Sequence, residues 1–444
     1  LAVALAGCAG LLGIEDRTAD DSDGSVDGGL QSDGAVAPAA ETGAALESAA
    51  PDASVPEPDA TTPKDAQTAS DGHGGGADAG GGGDAPLGSD SSSGSDAQVP
   101  MDVQVPKDVQ PPVDVQAPPV DAGSCADPCP IKTGLNNPWT ITSDANRVYW
   151  TEYGSDVGTD DGAVKSCPIA GCDSGLIVYT QSQINPRGIA LDGTNVYWTA
   201  QGGIWSCAIG GCTNPTKVAT AVFPQGITVD STYVYWTEND DESVRRIPKT
   251  GGGGGAGTVL YMYDYNAVDG GALYDPEQCV VDPGFIYSTD MNGDVVRISL
   301  TDGTQFLLGT APIGGSFGIA MDSNSIYYGE VLTIMATRKD STVSGGGTSI
   351  ANDVYWPSSL ALDPAGGTIY WADFGTDMAG VNDGTVGRVN IDGTGEKVLE
   401  ANLATPHSVT VSGNYVFWDS LGKASDTTFT GAVAGTGAVY RTAK

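Results

Sequence analysis

"GIALDGTNVYWTA" (residues 188–200) runs as an apolar stretch to Asp192, turns at Gly193-Thr194, and resumes as the aromatic run Val196-Tyr197-Trp198. Short apolar and aromatic runs on both sides of a Gly/Asn/Asp turn are the pattern of two short antiparallel strands joined by a tight polar turn. Near copies return as "GITVDSTYVYWTE" (226–238) and "LALDPAGGTIYWAD" (360–373). Aligned on the Trp of "VYW", the copies fall at Trp150, Trp198, Trp236, Ser288, Tyr328, Trp371 and Trp418, with spacings of 48, 38, 52, 40, 43 and 47 residues. Each copy continues through an acidic loop into a third strand such as "GTVGRVNIDG" (384–393) and a fourth such as "EKVLEA" (396–401). Four strands in a repeat of roughly 45 residues is the spacing of a propeller blade. No sustained helical period occurs in 124–444, so the expected fold is all-β: a seven-bladed β-propeller of four-stranded antiparallel blades.

A ring of blades needs its last blade tied to its first, because an open sheet edge would otherwise remain. The seventh copy stops after its third strand, "GAVYRTAK" (437–444), and an unassigned strand, "CPIKTG" (129–134), stands just before the first copy. In other copies the outer strand ("LIVYT", "TKVAT", "TVLYM", "FLLGT") precedes the next repeat in the same way. The N-terminal strand is therefore expected to complete blade seven.

Outside the repeats the composition changes sharply. Residues 1–123 hold no Phe, Trp or Tyr, so all the aromatics (8 Trp, 17 Tyr, 7 Phe) lie in 124–444. Residues 9–123 are Ala, Asp, Gly, Pro and Ser rich, from "GGGADAGGGGDAP" (74–86) to "VPMDVQVPKDVQPPVDVQAPP" (99–119). Such a segment cannot bury enough apolar surface to offset its ordering entropy, and reads as a disordered tether, flexible where Gly/Ser-rich and stiffer where Pro-rich. Both parts are acidic, with 22 acids against 3 bases in 1–123 and 34 against 16 afterwards, −37 overall. That field repels phosphate backbones and argues against nucleic-acid binding.

The opening "LAVALAGCAG" runs an apolar stretch into Leu5-Ala6-Gly7-Cys8. It resembles the end of a signal peptide with a bacterial lipobox, residues 1–8. The resemblance implies lipidation of Cys8 and, with Ala9 following, an outer-membrane lipoprotein facing the periplasm or the cell exterior. The apolar stretch is too short to span a bilayer, so membrane contact would come through the lipid anchor alone. The repeats "VYWTE", "VYWTA" and "IYWADFG", with "GRVNIDGTGEKVL" (387–399) and "VVRISLTDG" (295–303), resemble the YWTD repeats of the low-density lipoprotein receptor class. They are also similar to NHL-type and virginiamycin-lyase-like propellers, where Pro-x-Gly-apolar opens each blade. The likeness covers 138–441 and departs from the receptor class in having seven copies where that class has six, and in Ser288 and Tyr328 replacing Trp. It implies a fold and a tendency to bind, and fold alone does not fix function.

"SCPIAGC" (166–172) and "SCAIGGC" (206–212) place Cys-x4-Cys at the same turn of successive blades. Facing positions across a short hairpin loop lie within bridging reach, so disulfides Cys167–Cys172 and Cys207–Cys212 are expected, with Cys125 and Cys129 of "SCADPCP" as a third pair. Zinc would require two such pairs in one place, and separate blades hold them apart. Cys279 aligns with Ile189, Ile227 and Ile319 and reads as a small buried hydrophobe.

Ligand contacts are sought at the mouth of the central channel, where the inner strands begin. The variable position of Pro-x-Gly-apolar gives Trp139, Arg187, Gln225, Glu277, Phe317, Ser358 and His407, which differ in size and charge where the structural positions of the copies agree. Convergent polar groups among aromatics in a concavity are what a binding site requires. "GGSFG" (314–318) matches G-x-S-x-G around Ser316, but at the start of an inner strand instead of a strand-to-helix elbow. Lyase or lactonase chemistry would use His407 or Glu277 for proton transfer beside a bound metal. Asp290, Asn292 and Asp294 have the alternate spacing of a Ca²⁺ loop without its distal Glu, so Ca²⁺ at the acidic loops is the one cofactor considered and no catalytic or metal residue is assigned. The "GGGGG" run (251–255) follows "RRIPKT" in a hairpin and opens no helix, which excludes a nucleotide loop. The sequence thus reads as a monomeric, lipid-anchored cell-envelope propeller. It would act as a non-catalytic binding module for protein or glycan, with a lyase or hydrolase active at the same mouth as the alternative.

Overall fold

The alternation that marks "VYW" also dictates how blades stack, because successive side chains of a strand point to opposite faces of its sheet. In the computed structural model, Tyr149 of blade one packs in one cluster with Trp198 of blade two, Tyr197 with Trp236, and Tyr287 with Tyr328. Tyr327 packs with Trp371, Tyr370 with Trp418, and Phe417 of blade seven with Trp150 of blade one. Tyr and Trp of one tripeptide thus fill the cores on opposite sides of their blade, and the chain of contacts returns to its start. The five Trp residues Trp150, Trp198, Trp236, Trp371 and Trp418 are fully buried.

The structure describes residues 127–444 apart from 251–253, 263–272, 311–314, 316–317, 364, 366, 376–381 and 423–434. The described strands form seven four-stranded antiparallel sheets. Six are simple meanders, and the seventh takes its outer strand from Cys129–Leu135, paired with Gly437–Ala443. The N-terminal strand closes the ring as expected. The inner strands include Pro138–Ser143, Pro224–Val229, Pro276–Val281 and Pro406–Ser412. In every blade the apolar residue of the inner strand faces the residue aligned on Trp, as in Ile141 with Trp150, Cys279 with Ser288 and Ile319 with Tyr328. Cys279 is buried in the adjoining core, and burial pushes its thiol up to about 12. The hairpin disulfides Cys167–Cys172 and Cys207–Cys212 are formed, and Cys129 is disulfide-bonded; Cys125 lies outside the described residues.

A second repeat element fixes each inner hairpin. Asp230 Oδ1 accepts the backbone N–H groups of Thr232 and Tyr233, and its Oδ2 accepts the Tyr235 hydroxyl at 2.7 Å. The same carboxylate ties a turn to a buried Tyr at Asp144/Tyr149, Asp192/Tyr197, Asp282/Tyr287 and Asp322/Tyr327. Blade seven replaces both partners at once, with Ser412 for Asp and Phe417 for Tyr. Tyr235→Phe alone is expected to lower stability by about 1–2 kcal/mol, because Asp230 Oδ2 loses its partner. Urea unfolding of the single variant and of Tyr235→Phe with Asp230→Ser checks this, with a coupling well above zero expected for the pair.

Candidate functional site

The "Thr" of the repeat positions the mouth. Thr151 Oγ1 accepts the Thr140 N–H and donates to the Arg187 carbonyl of the next blade at 2.6 Å. Thr199 donates likewise to Gln225 O (2.8 Å) and Thr237 to Glu277 O (2.9 Å). The backbone of each variable residue is thereby pinned from the preceding blade. Glycine at 188 and 226 follows from the same closeness, since a Cβ there would collide with the Gln225 and Glu277 carbonyl oxygens. Where the repeat Thr is missing, neighbours replace it. Ala372 stands in its place in blade six, and the Ser358 hydroxyl donates to His407 O at 2.6 Å instead. In blade seven the position is Asp419, and His407 Nδ1 bonds to the Trp139 carbonyl. Because a carbonyl only accepts, Nδ1 carries the hydrogen and Nε2 is left as the acceptor. Burial and the Arg187 charge hold this imidazole down at about 4, so it is neutral at pH 7.

The inner strands enclose a cavity of about 450 Å³ lined by Trp139, Arg187, Gln225, Glu277, Ser358 and His407 among others. All six are buried. The seventh sequence candidate, Phe317, lies outside the described residues, as do Ser316 and Cys8. Arg187 donates to Gln225 Oε1 and, at 3.5 Å, to the Tyr153 hydroxyl. Its guanidinium lies 5.3 Å from the Tyr153 ring centroid and 5.5 Å from that of Trp139. Trp139 in turn stands 5.0 Å from Tyr153 and 4.6 Å from His407, and His407 5.6 Å from Phe374. These groups form an aromatic and cationic belt around one side of the mouth. Across the mouth, Glu277 has one carboxyl oxygen, Oε1, with no hydrogen-bond partner among the described residues. Burial pushes its carboxyl up to about 7, against the pull of Arg187 and with the added push of Asp275. Gln278 Nε2 crosses from blade four to the Ser358 carbonyl of blade six at 3.2 Å.

Tyr153, Asn239 and Phe374 were not among the sequence candidates. They occupy one register position, directly after the residue two beyond the aligned Trp, in "WTEY", "WTEN" and "WADF". This second variable column (Tyr153, Gln201, Asn239, Met291, Val331, Phe374, Leu421) was readable by the rule that gave the first. Backbone bonds such as Tyr153 N to Asn137 O and Asn239 N to Phe223 O bring it to the mouth beside the loops that open the inner strands. Those loops carry strained backbone, with φ of +50° at Asn137, +47° at Asp275 and +56° at Trp356, each just before a proline.

Two of the acidic loops spend their carboxylates on nearby backbone and hydroxyl groups. Asp161 accepts the Ser155 N–H (3.0 Å) and the Thr159 hydroxyl (2.6 Å). Asp290 is fully buried and spends its two oxygens on the Tyr274 and Asp294 N–H groups. Among the described residues no group of three or more His, Cys, Asp or Glu is placed to hold a metal ion.

No family model matches the chain. Among solved structures it is similar to one in a nidogen/laminin complex, at 19% identity and a TM-score of 0.40 over 54% of this chain and 91% of that one. It is also similar to the computationally designed Ika8 protein, at 15% identity and a TM-score of 0.47 over 70% of this chain and 98% of that one. A third is a protein of unknown function from Bacteroides thetaiotaomicron VPI-5482, at 13% identity and a TM-score of 0.43 over 71% of this chain and 73% of that one. These likenesses concern the fold.

Proposed function

We propose that the chain is a non-catalytic binding module, with a YWTD/NHL-like propeller presented on a tether lipidated at Cys8, whose channel mouth takes a protein or glycan ligand at the cell envelope. One observation carries this reading: side chains from the variable column of separate blades line one cavity, while the repeated residues are spent on the scaffold. A mouth held by inter-blade bonds and ring-closing cores binds with little reorganisation, and so keeps more of its contact energy as affinity. The neutral His407 imidazole and the near-neutral Glu277 carboxyl are the groups through which the alternative, lyase or hydrolase chemistry, would act.

Arrays of glycans and peptides probed with the full-length chain and with an Arg187→Ala, Gln225→Ala variant test the assignment, with melting curves confirming the fold. Ligands retained by the parent and weakened by roughly tenfold or more in the variant are expected. Equal retention by both proteins overturns the site. Turnover of a retained compound, lost in His407→Gln, overturns the non-catalytic part.

A further inference from the structure

Two of the polar atoms left over at the mouth are acceptors. Glu277 is 7% exposed, lines the cavity, and has Oε1 unpartnered among the described residues. The Asn239 amide adjoins the same carboxyl and favours its ionised form, and its Oδ1 has no hydrogen-bond partner among the described residues. Buried polar atoms without partners are costly, so such a cluster marks a place where another molecule supplies the missing bonds. Two independent features say what that molecule carries. The described loops on this side of the ring bear Asp156, Asp160, Asp240, Asp241, Asp275 and Asp353, and Arg187 is their one basic residue. The field at the mouth therefore draws cations. The loops leading into Gln225 and Glu277 also expose Phe223 (44%) and Tyr274 (42%), aromatic faces beside the acceptors. Aromatic faces attract a cation and cover its methylene stem.

Resting on the reading of the mouth as a binding site, we propose that Glu277 and Asn239 form a receptor for a primary alkylammonium group, whose stem lies against Phe223 and Tyr274. The ammonium donates to Glu277 Oε1 and Asn239 Oδ1, the two orphaned acceptors. Arg187 is itself engaged with Gln225 and Tyr153. The group fits equally a free alkylamine and the side chain of a lysine.

Calorimetric titration of the full-length chain tests the proposal with three probes: n-butylamine, a short peptide with one central lysine, and the same peptide with that lysine acetylated. Saturable binding of the lysine peptide, weakened roughly tenfold or more by acetylation and by Glu277→Gln but unchanged in Asp392→Asn, on an exposed turn away from the mouth, is the expected result. Butylamine binding with comparable affinity assigns the site to free amines; binding of the peptide alone assigns it to protein lysines. The acetylated probe keeps the test valid if Glu277→Gln fails to fold. No saturable binding of any amine up to roughly 10 mM overturns the proposal, since water then fills the cluster. Ca²⁺ binding that is lost in Glu277→Gln and excludes the amine overturns it in favour of a metal. Should the arrays find a mouth-dependent ligand that lacks an amine and ignores Glu277→Gln, the proposal falls while the binding site stands. If no mouth-dependent ligand exists, both fall.

Discussion

A chain carrying Ile131→Asp and Leu135→Asp is expected to lose the cooperative melting of the parent and to elute as larger species. Ile131 and Leu135 are 7% and 1% exposed and share one core with Trp150 of blade one and Phe417 and Val439 of blade seven. The same strand supplies the outer edge of blade seven, pairing Leu135 with Gly437 and Cys129 with Arg441. Two unpaired carboxylates forced into that core cost several kcal/mol each, comparable to the roughly 5–15 kcal/mol that hold a typical domain together. Release of the strand also leaves Gly437–Ala443 as an open edge, which then pairs between molecules. Calorimetry and light scattering read the two consequences. Val178→Asp with Val259→Asp, which adds the same charges at outer-strand positions 39% exposed, is expected to leave both unchanged. A closing-strand variant that melts within a few degrees of the parent and keeps its mass would mean that the ring is held shut elsewhere.

That closure was legible because the repeat leaves a remainder on either end of the chain: a seventh copy one strand short and a spare strand before the first copy. The blade cores were legible for a related reason. Trp and Tyr at fixed register are too large to be buried anywhere except between sheets, so their period is the period of the architecture. Substitutions inside the repeat are less transparent. Ser412 with Phe417 looks like drift in two columns until the Asp to Tyr hydrogen bond shows that they are one change.

The mouth was only half legible. Variation at the Pro-x-Gly position separated Trp139, Arg187, Gln225 and Glu277 from the scaffold, and the structure brings them to one cavity. The same variation at 358 and 407 has a second cause, since Ser358 and His407 carry the inter-blade bonds that Ala372 and Asp419 leave unmade. A position can vary to meet a ligand or to repair a neighbour, and only the partners of its atoms separate the two. Asn239 and Tyr153 escaped because their column was hidden among acidic loop residues.

Stability is expected to fall by several kcal/mol between pH 5 and pH 8, the reverse of what a uniformly acidic surface with paired carboxylates would give. Burial raises the carboxyls of Asp373 to about 6, Glu277 to about 7 and Asp290 to about 8, and raises Asp419 well above its ordinary range. Asp275 adds to the rise at Glu277 while Arg187 opposes it, and Asp294 adds to that at Asp290. In the unfolded chain these groups ionise near pH 4, so across the window the folded state holds protons that the unfolded state has released. Folding is then favoured at low pH and loses that advantage as pH rises through each folded value, at about 1.4 kcal/mol per tenfold change in proton affinity. His407, held neutral down to about 4, works in the opposite direction and withdraws stability as pH falls from 6.5. One imidazole does not offset four carboxyls. Asp192, lowered to about 2 by Lys249 and its turn N–H groups, matters only below pH 4. Asp419 isolates one contribution, since its Oδ1 accepts the Ser408 N–H at 2.7 Å and its Oδ2 has no hydrogen-bond partner among the described residues. Asp419→Thr restores the repeat residue and keeps an acceptor for Ser408, so it is expected to stabilise at pH 8, to do little at pH 5, and to flatten the profile between them. Urea midpoints at both pH values for parent and variant decide the matter. A parent as stable at pH 8 as at pH 5, or a variant with the parent's slope, would place the ionised carboxylates in the folded protein and remove buried protonation from its energetics.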